Sequence, residues 1–263
     1  MEIINNIVGG RYYVLEQIGK GGFSVVYKAR DIYTKKTYAL KKYITSDPAN
    51  KKRLLEGMEK EVNVLKHCTH PVLPKIFNLI KEDGDFFLVM EYVEGTNLKQ
   101  YLKDKKRLKT KDVVDIIRQV CSGLYYLHSL TPPIIYRDLK PANIILKENG
   151  KVVLIDFGIA KRYNRDVADN LAIGSKGFAA PEQYQSFVSS SIYNTDIRTD
   201  IYTVGTTFYY LLTKKKYKGK TKGILSPKIK RIIKKCTKIN PDERYQDCIE
   251  LLCSIKSLHI TKK

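Results

Sequence analysis

The stretch Tyr136–Asn143 combines residue types that catalysis needs, and Asp156 of an Asp-Phe-Gly triplet follows thirteen residues after Asn143. Asp138 offers a base and Lys140 a cation, while Asn143 and Asp156 offer the oxygen ligands that hard divalent cations prefer. A single carboxylate beside an arginine is usually a surface ion pair, but chance is a poor explanation for four such residues in this order. The window therefore predicts a catalytic centre that binds metal.

Length and composition describe a globular chain with reduced thiols. At 263 residues with 43% hydrophobic content, it can bury a core as one large domain or as two lobes that share a cleft. The five cysteines are irregularly spaced and form no C-x-x-C pair, and the four histidines show no metal-ligand grouping. We expect buried thiols and no structural metal.

The chain shows no sequence signal for a membrane. Its first residues lack the apolar core of a signal peptide. The longest mostly apolar stretch, 201–212, is about a dozen residues, against the roughly 20 that cross a bilayer. We therefore expect no membrane span in this chain and a cytoplasmic location.

The net charge of +21 has two readings. One is an acidic partner such as nucleic acid, an anionic membrane surface or an acidic substrate segment. The alternative is a lysine-rich composition on solvated faces, which the abundance of Lys, Asn, Ile and Tyr favours. Two clusters, 103–111 and 214–222, leave the question open. Apart from Tyr217, neither interleaves aromatic with basic residues, so we expect no specific nucleic-acid partner.

The pattern of elements changes along the chain. β-Branched and aromatic runs between glycines or polar turns predict strands at 12–18, 25–30, 37–42, 75–81 and 86–91, and helical spacing predicts one helix at 51–66. After residue 93 the pattern predicts helices at 98–103, 111–129, 199–212, 228–237 and 247–256, with a short hairpin of 144–146 and 152–155. A β-rich part and an α-rich part are expected, with a site in the cleft between them.

A glycine-rich stretch, residues 19–24, lies between the first two predicted strands. Glycines between strands most often make a simple hairpin turn. They also allow backbone amides to approach phosphate oxygens without interference from side chains. A Rossmann fingerprint is disfavoured because a strand, rather than a helix, follows.

Taken together, these motifs resemble those of eukaryotic-type (Hanks-type) Ser/Thr protein kinases, over about residues 12–256. Ile155–Lys161 and Gly177–Tyr184 are most similar to bacterial members. The resemblance implies an α+β, bilobal protein-kinase fold. Residues 12–93 would form a small antiparallel β-sheet lobe with one helix and residues 94–256 a larger, mainly α-helical lobe. Residues 1–11 and 257–263 would be short terminal extensions.

The resemblance also implies an activity. The chain would be a non-specific serine/threonine protein kinase that uses ATP and Mg²⁺, with Mn²⁺ as an alternative metal. It would transfer the γ-phosphoryl group to Ser and Thr hydroxyls of protein substrates, in bacterial signalling. The alternative is a pseudokinase that acts as a scaffold or binding module. Loss of Lys41, Asp138, Asn143 or Asp156 would favour that alternative, and all four are present.

The family's catalytic roles carry over to matching positions. Asp138 would orient the substrate hydroxyl and accept its proton, Lys140 would steady the γ-phosphate, and Asn143 and Asp156 would bind Mg²⁺. Lys41 would contact the α- and β-phosphates and pair with a glutamate of the following helix. Glu61 is the first choice for that glutamate, with Glu56 and Glu59 as alternatives.

The same resemblance implies a nucleotide pocket and a structural frame. Met90 would be the gatekeeper, and the backbone of Glu91 and Val93 would hold the adenine. The expected ATP-binding residues are Ile18, Gly19, Gly21, Ser24, Val26, Ala39, Lys41, Met90, Glu91, Val93 and Ile145. Asp200 would hold the catalytic-loop backbone, and Glu182 would pair with Arg244.

The chain departs from the family pattern in four places. Ser24 replaces the third glycine of the loop, and Tyr136 replaces the commoner His before Arg-Asp. The activation segment, 156–182, carries only two side-chain hydroxyls, those of Tyr163 and Ser175. Ser175 falls at the substrate-facing position, so the usual upstream phosphate acceptor is missing.

A phosphate on the activation segment ordinarily pairs with the position of Arg137. Because Asp166 or Asp169 could supply a permanent carboxylate, we expect activity without phosphorylation of this loop. The stretch 213–228 is also shorter and richer in lysine than the family's corresponding region, which leaves protein-substrate docking there open.

Overall fold

The computed structural model describes residues 3–21, 24–44, 62, 65–104, 107–157, 161–162, 174–184, 195–221, 223 and 225–258. The chain divides into two compact units, Met1–Glu94 and Gly95–Lys263. Val62 and Leu65 are helical and buried, but most of the helix predicted at 51–66, including Glu61, lies outside the described residues.

The described part of the first unit is built on an antiparallel sheet of six strands in the order β1-β2-β3-β4-β6-β5. The strands are β1 (Ile7–Val8), β2 (Tyr12–Lys20), β3 (Ser24–Asp31), β4 (Thr37–Tyr43), β5 (Ile76–Glu82) and β6 (Asp85–Glu91). Five of the six had been predicted from their β-branched and aromatic residues, and those predictions are confirmed. β1 is only two residues long, too short to give a pattern.

Alternating burial explains why the strands pair in this register. Val25, Tyr27 and Ala29 of β3 all point into the core, where they join Leu40 of β4 and Val89 of β6. Because side chains alternate between the faces of a strand, a slip of one residue would expose this whole set.

The described part of the second unit contains five α-helices and two small sheets. The helices are α1 (Leu98–Asp104), α2 (Thr110–His128), α3 (Ile197–Thr213), α4 (Pro227–Cys236) and α5 (Cys248–Lys256). The remaining strands are β7 (Thr96–Asn97), β8 (Ile134–Ile135), β9 (Ile144–Leu146), β10 (Val152–Leu154) and β11 (Lys161–Arg162), paired as β10-β9-β7 and β11-β8. The five predicted helices and the hairpin of β9 and β10 are confirmed to within a few residues.

Helix α2 forms the centre of this unit. It packs against α3 and α5, and its Ile117, Leu124 and Leu127 are fully buried. Side-chain caps begin the helices around it: Asp196 accepts a hydrogen bond from the Arg198 N–H at the start of α3. Such caps satisfy backbone N–H groups that the helix itself leaves unpaired. The short strands β8 and β9 bracket residues 136–143, the predicted catalytic loop.

Candidate active site

Asp138 lies at the centre of a compact polar cluster in the loop between β8 and β9. Its Oδ2 accepts hydrogen bonds from Lys140 Nζ at 2.7 Å and from Asn143 Nδ2 at 2.9 Å. Its Oδ1 accepts one from Ser175 Oγ at 2.8 Å. Only 11% of the Asp138 side chain is exposed, so both oxygens are held in fixed directions.

Ser175 brings the activation segment to this carboxylate. Its hydroxyl donates to Asp138 and accepts from Lys140 Nζ at 2.7 Å. A base and a cation thus hold one hydroxyl oxygen between them. This is the geometry in which a hydroxyl can be oriented and its proton accepted.

Asn143 and Asp156 lie on segments that a backbone hydrogen bond joins. The N–H of Ile155 donates to the Asn143 carbonyl at 2.9 Å, next to Asp156. The Asn143 Nδ2 donates to the Asp138 carbonyl as well as to its carboxylate, which turns the amide oxygen away from Asp138. One carboxylate and one amide oxygen form a donor set that suits a hard divalent cation, so the residues fit the metal that the motif implies.

Two residues of this region have left-handed backbone conformations. Arg137 has φ of 63° and Asp156 has φ of 70°. Non-glycine residues rarely adopt such values, which are typical of active sites when the surrounding structure enforces them. The enforcing contacts are visible for Arg137: its N–H donates to Asp200 Oδ1 at 2.8 Å, and its carbonyl accepts from Gln183 Nε2 at 2.9 Å.

Asp200 of α3 organises the start of the loop. Besides the Arg137 N–H, it accepts the Tyr136 N–H at Oδ2 at 2.8 Å, and His128 Nε2 lies 2.8 Å from the same oxygen. Asp200 is completely buried. The predicted contact between Asp200 and the catalytic-loop backbone is therefore present.

His128 places a positive charge beside the buried Asp200 carboxylate. Burial lowers the pKa of His128, but its hydrogen bonds with Asp200 and Cys248 and the attraction of the Asp200 carboxylate raise the pKa to about 10. The imidazolium form offsets the buried negative charge of Asp200. No sequence pattern had singled out His128, whose only signal was its place at the last turn of α2.

Tyr136 occupies the position where the family usually has His. Its ring meets Phe157 edge to face, with 5.3 Å between centroids, and its hydroxyl donates to the Ile155 carbonyl. Tyr136 therefore packs on Phe157 and is tied to the segment that precedes it. Burial raises the pKa of Tyr136 well above its usual value, so this hydroxyl stays protonated as a donor.

A buried ion pair ties the end of the activation segment to the body of the unit. Arg244 Nη1 and Nη2 donate to Glu182 Oε1 and Oε2 at 2.7 and 2.9 Å. Arg244 is 0% and Glu182 2% exposed in their side chains. Thr199 of α3 also donates to Glu182. The predicted pairing of these two residues is present.

The residues predicted for the nucleotide lie mostly on strands of the first unit. Gly19 of β2 pairs with Val26 of β3, and Val26 pairs with Lys41 of β4. Ala39 pairs with Met90 of β6. The sheet thus brings these residues together, and Lys41, Ala39, Met90 and Val93 are buried. Ile18 is 44% exposed, and the Gly21 N–H donates to the Ser24 carbonyl.

Lys41 also has an aromatic neighbour: its Nζ lies over the Tyr43 ring, 5.0 Å from the centroid. The other predicted residues are in the second unit or outside the described residues. Ile145 belongs to the second unit, where it pairs with Val153. Glu61, like Tyr163, lies outside the described residues.

Sequence reasoning missed several residues that position the site. Gln183 and three threonines of α3 hydrogen-bond to the catalytic loop or to the activation segment. The signal was present as a run of threonines in a helix that is otherwise apolar. Threonine favours a helix less than leucine or alanine does, so its repetition there needs another reason.

Two negative findings concern the described residues alone. None of their helices is both long and apolar enough to cross a bilayer. Among the same residues, no group of three or more His, Cys, Asp and Glu side chains is placed to hold a metal ion.

Comparison with known proteins agrees with the motifs. The family described as "protein kinase domain" matches residues 12–258. The serine/threonine-protein kinase PrkC of Bacillus subtilis is 32% identical over 213 residues, which are 80% of this chain and 32% of that protein. Serine/threonine-protein kinase B of Synechocystis is 30% identical over 277 residues, 95% of this chain and 47% of that protein.

A similar match comes from an animal protein. Human serine/threonine-protein kinase tousled-like 1 is 32% identical over 216 residues, 77% of this chain and 28% of that protein. The chain therefore spans only 28% to 47% of the length of these relatives.

Proposed function

Because this chain belongs to the protein kinase family, we propose that it is an active serine/threonine protein kinase, which transfers the γ-phosphoryl group of ATP to Ser and Thr hydroxyls of protein substrates. The single observation that carries the proposal is the hydroxyl of Ser175, held between Asp138 and Lys140. A substrate hydroxyl that took the place of this one would be oriented by the same two groups.

The proposed roles follow from the charges of phosphoryl transfer. Negative charge spreads over the oxygens of the transferred group, so cations must lie where it develops. Lys140 is fixed 2.7 Å from Asp138, and we assign it to the γ-phosphate beside the attacking oxygen. Asp138 accepts or orients the proton of that oxygen. Fixed positions for both groups reduce the entropy lost on reaching the transition state.

We propose Mg²⁺ as the metal, held by Asn143 and Asp156, with Mn²⁺ as a substitute. The bound metal would neutralise charge on the phosphate oxygens. The role of this chain is to orient two oxygen ligands, because Asn143 is locked by its amide nitrogen onto Asp138. The proposed nucleotide contacts are Lys41 with its partner glutamate and the strand residues of the first unit named above.

Lys140, two residues after Asp138, supports Ser/Thr over Tyr specificity, since tyrosine kinases usually carry Ala or Arg in that loop. Protein substrates in bacterial signalling and a cytoplasmic location are part of the same proposal. The pseudokinase alternative requires a broken catalytic set, whereas Lys41, Asp138, Asn143 and Asp156 are all retained.

The test is transfer of label from γ-labelled ATP to casein or myelin basic protein, with Asp138→Asn as the variant. Loss of a positioned base costs about a hundredfold to ten-thousandfold in rate. We expect a loss of that size with nucleotide binding retained. Asp115→Asn is the matched control, because Asp115 is an exposed carboxylate in an ion pair with Arg118. Equal transfer by wild type and Asp138→Asn would refute the assignment of the base, and no transfer by wild type that still binds nucleotide would favour the pseudokinase.

A further inference from the structure

Residues 201–241 form an unusually one-sided stretch of charge. They include eleven lysines and Arg231, with no Asp or Glu. The stretch runs from the body of α3 to the turn after α4. A solvated face on a lysine-rich protein ordinarily mixes both signs of charge. The absence of acids over 41 residues therefore needs a local reason.

We call residues 214–221, which follow α3, the basic segment. Lys215, Lys216, Lys218 and Lys220 are all exposed there. The segment is nevertheless anchored. Tyr217 packs edge to face on Tyr209 of α3, with 5.4 Å between centroids.

Lys216 joins the basic segment to the activation segment. Its Nζ donates to the Lys176 carbonyl at 2.9 Å. Its stem lies so close to Gly177 that a Cβ there would approach Lys216 Cδ to 2.6 Å. Gly177 has φ of 89°, so glycine suits this position both for its backbone and for the space that Lys216 occupies. The basic segment and the activation segment are therefore joined here by a hydrogen bond and by close packing.

This contact places the lysines near the reacting hydroxyl. Lys176 directly follows Ser175, whose hydroxyl is 2.8 Å from Asp138. With about 3.8 Å between neighbouring Cα atoms, these contacts put Lys216 Nζ no more than roughly 15 Å from the Asp138 carboxylate. An extended peptide advances about 3.3 Å per residue. Side chains about two to four residues from the phosphate acceptor would therefore reach the basic segment.

Carboxylates that could offset these charges are scarce within the two segments themselves. Within described residues 174–184 and 213–221, the only acidic side chain is Glu182, which is buried and paired with Arg244. Lys176 adds a further exposed positive charge. The surface beside the hydroxyl position is thus strongly positive.

We propose that this surface selects substrates with Glu or Asp two to four residues from the phosphorylated Ser or Thr. The proposal rests on the kinase function proposed above and specifies its substrate class. A nucleic acid would also be attracted by positive charge. The contact of Lys216 with Lys176 and Gly177, which follow Ser175, favours a peptide in the active site instead.

The test compares peptides that carry one Ser in an uncharged background, with Glu or Gln placed at each position up to four residues on either side. We expect Glu at two to four residues on one side to raise kcat/KM about five- to twentyfold over Gln, mostly through KM, because several exposed charge pairs each contribute modestly. The preference should fall as salt increases, since the screening length is about 10 Å at 0.1 M ionic strength.

The decisive variant is Lys215→Glu with Lys218→Glu, which leaves Lys216 and its contact in place. It should abolish or invert the preference for Glu while activity on the Gln peptides stays within about twofold. The matched control is Lys111→Glu with Lys256→Glu, the same charge change at exposed positions on α2 and α5. The control should retain the preference.

Binding of fluorescein-labelled Glu and Gln peptides to the Asp138→Asn protein gives a readout that needs no activity. Failure of all phosphate transfer would refute the kinase function, while a retained difference in peptide affinity, lost in the double variant, would still support the acidic-peptide surface. Equal kcat/KM and equal affinity for Glu and Gln peptides would overturn the inference. The inference would also be overturned if the Lys215→Glu, Lys218→Glu double variant kept the preference for Glu peptides. It would likewise be overturned if that variant lost affinity for labelled poly(U), a nucleic acid, but not for the Glu peptides.

Discussion

The buried pair of Glu182 and Arg244 allows the sharpest prediction about stability. The Arg244 guanidinium donates to both Glu182 oxygens and to three backbone carbonyls, those of Arg198, Lys238 and Ile239. Every polar group of the pair is satisfied, and neither side chain is more than 2% exposed. Glu182→Gln keeps the shape and the acceptor for Thr199 but leaves a buried cation without its counter-charge.

The expected cost is large because water does not reach the site. Removing one partner of a buried ion pair costs about 3–5 kcal/mol. With a urea dependence of about 3 kcal/mol per M for a chain of this size, the midpoint should fall by about 1–1.7 M. Arg244→Met should cost as much, because it strands Glu182. The double variant should be less destabilised than the sum of the singles by about 2–3 kcal/mol.

Urea unfolding followed by far-UV circular dichroism is the suitable assay. The chain has no tryptophan to report by fluorescence, and the described helices of α1–α5 all lie in the second unit, with this pair. Glu243→Gln is the matched control: it makes the same change one residue before Arg244, in an exposed pair with Lys238. That change should cost less than about 1 kcal/mol.

Two results would refute the reasoning about the pair. One is a Glu182→Gln variant no less stable than Glu243→Gln, which would mean that water or a rearranged side chain replaces the lost charge. The other is strict additivity in the double variant, which would mean that the two side chains do not stabilise each other.

Two further predictions concern the same unit. Gly205→Ala should destabilise it by about 1–2 kcal/mol, because the new Cβ would lie 2.5 Å from Cys236 Cβ on α4. This cost should exceed the gain from alanine's better helix propensity. A thermal unfolding midpoint at or above that of wild type would contradict this prediction. His128→Asn should cost most below pH 6.5 and progressively less as pH rises through about 10, because a raised folded-state pKa stabilises only while the group is protonated. The urea midpoints of wild type and His128→Asn, measured at pH 6 and at pH 9.5, check this. A difference between the two midpoints that is larger at pH 9.5 than at pH 6 would contradict it.

The sequence could predict the elements and the catalytic set because their signals are local. Alternation along β3 and helical spacing along α2 follow from burial of one face. The motif around Asp138 gives residue types in a fixed order. The loop's conformation could not be predicted in this way, because the positive φ of Arg137 depends on Asp200, 63 residues away.

Long-range polar contacts explain the remaining misses. His128 and Gln183 act through partners 72 and 46 residues distant, which no periodicity reveals. The two-residue strands β7 and β8 are likewise defined by their partners, since two residues carry no pattern. The role of the positive charge could not be predicted from the sequence for the same reason. The contact of Lys216 with the Lys176 carbonyl, 40 residues away, is what locates the basic segment beside the reacting hydroxyl.

Helix α3 connects these distant contacts. Its buried side carries Asp200, which binds the start of the catalytic loop, and Thr207, whose hydroxyl donates to the Leu139 carbonyl at 3.2 Å in the same loop. The residues directly before these two are also threonines: Thr199 donates to Glu182, and Thr206 donates to the Phe178 carbonyl. One rigid helix therefore holds both the loop with Asp138 and the segment with Ser175.

This arrangement explains why a buried helix carries so many polar side chains. In the catalytic loop and in described residues 174–182 of the activation segment, most residues belong to no helix or strand, so their backbone groups need partners from elsewhere. Threonine can supply a hydroxyl to such a group and fill the remaining space with its methyl group. Because both segments depend on α3, a change that displaces this helix should alter the Asp138–Ser175 geometry and the position of the basic segment together.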